Sequence, residues 1–100
     1  MTRQPEKQAP KRQAPKHVVE RIQTGVRLEK RLVKVLKGLA EYLDITLGDL
    51  LEGIVLHAFE GKSPFSEPTL EKIAALKEVY GLDLDAAASH QLIETEEEAK

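Results

Sequence analysis

Arg21-Ile22-Gln23-Thr24-Gly25-Val26-Arg27-Leu28 decides how the chain is read, because two periodicities meet at its end. Ile22, Thr24, Val26 and Leu28 alternate with Arg21, Gln23, Gly25 and Arg27. This period of two predicts a short strand with one apolar face and one polar, basic face. From Leu28 the apolar residues recur instead as Leu28, Leu32, Val35, Leu36, Leu39 and Leu43, the stripe of an amphipathic helix. Lys30, Lys34, Lys37 and Glu41 fall on the opposite face. Asp44-Ile45-Thr46 interrupts the pattern, and Thr46 is placed to cap a second helix by accepting a hydrogen bond from the backbone N–H of Asp49. That helix carries Leu47, Leu50, Leu51, Ile54, Val55, Ala58 and Phe59 on its apolar face, and Gly61 and Pro64 close it.

Outward from this centre the chain changes character in both directions. Residues 1–16 hold Pro5, Pro10 and Pro15 among Gln and Lys, and Gln8-Ala9-Pro10-Lys11 recurs as Gln13-Ala14-Pro15-Lys16. So little apolar surface cannot offset the entropy of ordering, which predicts a disordered basic arm over residues 1–18. On the other side, Ser66 is a cap for a third helix with Pro68 in its first turn, where the missing N–H does no harm. Leu70, Ile73, Lys77 and Tyr80 share a face of it, and Gly81 is its C-terminal cap. Asp83 or Asp85 can start a last helix through Ala86–Ile93, before the solvated end Glu94-Thr95-Glu96-Glu97-Glu98. The division expected is an arm (1–18), a central domain (19–61) and an acidic helical extension (62–100) that forms a separable module.

One hundred residues allow one small domain with tails. With no Trp and few Phe or Tyr, the core must be built from Leu, Val and Ile. The absence of cysteine excludes disulfides and thiolate metal sites and fits a reducing compartment. No run is long enough for a membrane span and no signal-peptide pattern opens the chain, so the expectation is a cytoplasmic protein without membrane contact. The net charge of −2 hides a division. Residues 1–37 hold eleven basic groups and three acids, a charge of +8, which leaves −10 for the remainder. Such asymmetry points to a polyanion contacted by the basic part.

One strand without a partner of its own, and two helices that bury little alone, predict pairing with a second copy. The fold class expected is therefore mainly α with one short strand, an intertwined dimer with a C-terminal helical extension. Its dimer core would hold Val26, Leu28, Leu32, Val35, Leu36, Leu39, Leu51 and Val55. A two-stranded ribbon fits the major groove of double-stranded DNA, where Arg pairs with guanine and Gln with adenine.

With these elements in place, residues 21–60 resemble the MetJ/Arc/CopG-type ribbon-helix-helix repressors. Gln23–Phe59 align with that pattern without a gap, through Gln23 and Arg27, the stripe from Leu28 and the small turn before Leu47. The resemblance implies base reading by Gln23, Gly25 and Arg27. It also implies phosphate contacts from the start of the second helix at Thr46, Leu47 and Gly48, joined by Arg21 and Lys30. Three positions depart from the pattern. Gly25 brings no side chain to the central reading position, and Glu29 stands where Pro, Ser or Asp often begins the first helix. Ile45, Leu50 and Ile54 replace a buried ionic triad, which implies a wholly apolar core.

No catalytic set, Gly-rich phosphate loop or metal motif is visible. His17, His57 and His90 lack ligand spacing. The expectation is a protein that is not an enzyme and has no metal and no cofactor. The function expected is a sequence-specific transcriptional regulator of repressor or plasmid/phage control type, homodimeric and of higher order on DNA. The alternative is an antitoxin-like DNA-binding protein whose residues 66–93 hold a partner protein, and a third is a dimerisation scaffold that contacts no nucleic acid.

Overall fold

The computed structural model describes residues 16–95; the greater part of the expected N-terminal arm lies outside them. Three α-helices, α1 (Lys30–Leu43), α2 (Leu47–Phe59) and α3 (Glu67–Tyr80), are followed by a single 3-10 turn at Ala86–Ala88. Residues 16–29 have no regular secondary structure.

The ribbon-helix-helix expectation is corrected here, because the described residues contain no strand and no sheet. Backbone N–H and C=O groups in a strand need a ladder partner. No other described segment of the chain forms one with residues 21–28, so alternation of side chains alone does not produce a strand there. The expected last helix is also cut short. Asp85 does cap it, accepting from the Ala87 N–H at 3.1 Å, but the helix ends after three residues. Ser89, with φ −58° and ψ 135°, already leaves the helical region, and His90 follows in the left-handed region at φ 67°.

All three α-helices begin with a side-chain cap. Thr46 accepts from the Asp49 N–H at 3.0 Å and Ser66 from the Thr69 N–H at 3.4 Å, as their positions in the sequence predicted. Glu29 caps α1 by accepting from the Leu32 N–H at 2.8 Å, so a longer carboxylate does the work usually given to Ser or Asp.

The helices also end alike. The N–H of the left-handed residue and that of its successor turn back onto carbonyls of the last turn, a paired closure that satisfies otherwise orphaned acceptors. In α1 these bonds run from Asp44 to Glu41 and from Ile45 to Ala40. In α2 they run from Gly61 to Ala58 and from Lys62 to His57, and in α3 from Gly81 to Glu78 and from Leu82 to Lys77. Gly61 and Gly81 carry the positive φ without a Cβ penalty, whereas Asp44 adopts φ 62° as a non-glycine residue. In two of the closures the next residue is apolar and turns inward. Leu82 is buried and Ile45 packs on the core.

The core is small and wholly apolar. Leu39, Ala40 and Leu50 are buried together, with Ile45, Ile54, Phe65, Ile73 and Leu76 among the residues packed around them. No polar or charged residue is among the buried described residues. Helix α1 makes its more extensive contact with α3 and a smaller one with α2. Residues beyond 62 thus supply part of the cover for Leu39.

Candidate nucleic-acid interface

The basic residues of the described chain begin in the segment before α1. Every residue from 16 to 28 is exposed, including Gln23, Gly25 and Arg27. A Cβ built on Gly25 meets nothing within 4 Å, so this glycine is not demanded by packing within the chain. Helix α1 continues the basic surface with Lys30, Lys34 and Lys37, all exposed.

Both arginines of the segment have acidic partners from elsewhere. Arg21 binds Glu52 of α2 through two bonds, from Nε at 2.8 Å and from Nη2 at 2.9 Å. That doubly bonded guanidinium holds the Glu52 carboxyl below its usual pKa, against a smaller effect of burial. Arg27 pairs with Glu94 of the C-terminal segment while 71% of its side chain stays exposed.

Arg31 is engaged differently. Its Nε donates to Glu29 at 3.0 Å, and its Nη1 donates to the Gly81 carbonyl at 2.9 Å and to Asp83 at 3.1 Å. It fastens the start of α1 to the end of α3. For Glu29, burial favours the neutral form, but the Leu32 N–H and Arg31 outweigh it and hold its pKa below the usual carboxylate range. Lys34 stands over the Tyr80 ring at 5.9 Å and Lys72 over Tyr42 at 5.1 Å, two further ties between α1 and α3. Arg31 and these pairings have no periodic signature and were not singled out from the sequence.

The residues expected to bind phosphate differ in exposure and in the bonds they make. Lys30 is exposed at the first turn of α1, whereas Arg21 is occupied by Glu52. Thr46 spends its hydroxyl oxygen on the Asp49 N–H, Leu47 is half-buried and Gly48 is exposed.

The residues expected in a dimer core divide into two groups. Val35 and Leu39 are buried by the chain itself, and Leu36 and Leu51 are half-buried. Val26, Leu28, Leu32 and Val55 remain exposed, with 72% of Val26 and 43% of Val55 accessible, and Phe59 reaches 81%.

His57 donates through Nδ1 to the Gly53 carbonyl at 2.7 Å, a bond within its own helix. Among the described residues no group of three or more His, Asp or Glu is placed to hold a metal ion. Among the same residues no helix is long and apolar enough to cross a membrane. No family model, curated protein or solved structure matches the chain.

Proposed function

We propose that this chain is a homodimeric, DNA-binding transcriptional regulator acting in the cytoplasm. The observation that carries the reading is the exposed segment at residues 16–28, with Lys16, Arg21 and Arg27, followed in sequence by the exposed Lys30, Lys34 and Lys37 of α1. Cationic groups ahead of and along a helix suit a phosphate backbone, and they lie in the part of the chain that holds +8. Gln23 and Arg27 supply the side chains suited to adenine and guanine edges. The resemblance of residues 21–60 to the ribbon-helix-helix repressors favours DNA as the partner in this proposal, while the ribbon itself is no part of it.

The second copy is proposed from the uncovered apolar side chains. Val55 and Phe59 are one helical turn apart on α2 and both exposed, and Val26, Leu28 and Leu32 are exposed ahead of and within α1. Five buried apolar residues are a thin core for the described chain, and a second copy covers these side chains most economically.

Selection of bound duplexes from a random pool tests the reading. A recurring motif that Arg27→Ala relaxes at one position per half-site, by on the order of 1–3 kcal/mol, is the expected result. Selection that yields no motif would contradict sequence-specific regulation.

An antitoxin-like reading has one observation of its own. An apolar groove of about 460 Å³ runs between α1, Phe65 and the segment after α3, with Leu36, Leu84 and Leu92 among its walls. A ternary complex of DNA, this chain and a different polypeptide in fixed ratio would favour it over a regulator acting alone.

A further inference from the structure

The C-terminal segment carries acidic charge to the side of the molecule where the basic segment lies. Residues 92–95 and residues 26–34 line one open groove, with Leu92 and Ile93 sharing it with Val26 and Leu28. At its edge Glu94 pairs with Arg27. In sequence, Glu94 opens a run continued by Glu96, Glu97 and Glu98, against Lys100 alone. The first acid of the segment pairs with the guanidinium that the proposed function reserves for a base edge.

We propose that this acidic C-terminal segment is an intramolecular competitor for DNA, with Glu94 occupying Arg27 until a duplex displaces it. The inference rests on the DNA-binding reading above. Both ligands present acceptor atoms to the same guanidinium donors, carboxylate oxygens in the tail and a guanine edge in the duplex, so the two exclude each other at Arg27. Tethering gives the carboxylates a high local concentration without any new contact. The pair is also weak enough to yield, since 71% of the Arg27 side chain and 42% of the Glu94 side chain are exposed and such pairs are screened by water and salt. The device therefore sets a threshold for DNA binding and does not abolish it.

The test compares five full-length proteins and one shortened chain on a fluorescent duplex of about 20 base pairs, by anisotropy near 100 mM NaCl. They are the native chain, E94Q/E96Q/E97Q, the control E41Q/E71Q/E78Q, R27A, R27A combined with E94Q/E96Q/E97Q, and the chain ending at Ile93. The control removes as many charges from exposed positions on α1 and α3. Neutralising or removing the tail is expected to tighten binding roughly fivefold, the equivalent of one exposed ion pair. The control is expected to change it by less than about twofold, and the tail neutralisation to give no gain over R27A alone. Tail variants that bind no tighter than the native chain overturn the inference and leave the DNA reading intact. An equal gain in the control overturns it too, since net charge would then be the cause. If no form binds duplex even near 50 mM NaCl, the DNA reading fails and takes this inference with it.

Discussion

A Cβ built on Gly38 would stand 3.1 Å from Cδ2 of Leu76, so a side chain on α1 at this point would press on the tip of an α3 leucine that has to give way to admit it. In sequence Gly38 reads as a defect, the one poor helix former in α1. In the fold it sets how closely α3 approaches the helix that carries Leu39.

A double-mutant cycle separates the two effects. Gly38→Ala gains about 1 kcal/mol of helix propensity but has to push aside a half-buried leucine. The substitution should therefore stabilise clearly less in the native chain than in a Leu76→Ala background, where the leucine tip is gone. Urea unfolding of the four proteins measures the coupling. Equal effects in both backgrounds would show that α3 does not rest on Gly38.

The acid limb of stability should report on Glu29. Its folded pKa is lowered, so the stability it contributes is fully present above the unfolded carboxylate value near about 4.3 and is lost as pH falls through the lower folded value. Glu29→Gln should cost stability at pH 7 through the Leu32 cap and the Arg31 pair, and the difference from the native chain should shrink toward pH 3. Thermal melts at pH 7, 5 and 3 give the comparison. A difference independent of pH would mean that the carboxylate's charge is irrelevant to the cap.

The helices and their ends were legible because their causes are local. Thr46 and Ser66 caps, the Leu32–Leu43 part of the stripe and the closing Gly61 and Gly81 each follow from a residue and its immediate neighbours, whereas Leu28 falls before the helix. The wholly apolar Ile45, Leu50 and Ile54 positions were expected from the family resemblance and not from local pattern. What failed was non-local. Alternation at residues 21–28 describes how side chains would sit on a strand and says nothing of whether a ladder partner exists. Nothing periodic announces that Leu76 lies against Gly38, that Arg31 reaches Gly81 and Asp83, or that Glu94 meets Arg27. Of the candidate interface, the basic residues could be read from charge alone, but their acidic partners came only from the fold.

Association should be visible in solution. The exposed Val55 and Phe59 on α2 predict that the melting temperature rises with protein concentration, because folding and assembly are then linked. Phe59→Lys should lower the sedimentation coefficient to that of a single chain without disturbing the Leu39–Ala40–Leu50 core, from which this 81%-exposed side chain is absent. A melting temperature unchanged over a hundredfold dilution, with a monomer at every concentration, would contradict a homodimer.

The most direct test of DNA binding is the salt dependence of affinity for a duplex. Isothermal anisotropy titrations between about 50 and 200 mM NaCl should show binding whose logarithm falls linearly with that of salt, as released counterions require. Deleting residues 2–16, which carry Arg3, Lys7, Lys11, Arg12 and Lys16, should weaken binding to every sequence and flatten that slope. Lys30→Ala combined with Lys34→Ala should flatten it further, by about 0.9 for each phosphate left without its cation. Binding that is absent near 50 mM NaCl, or present with a slope indifferent to these cations, would contradict a basic segment that lies on DNA.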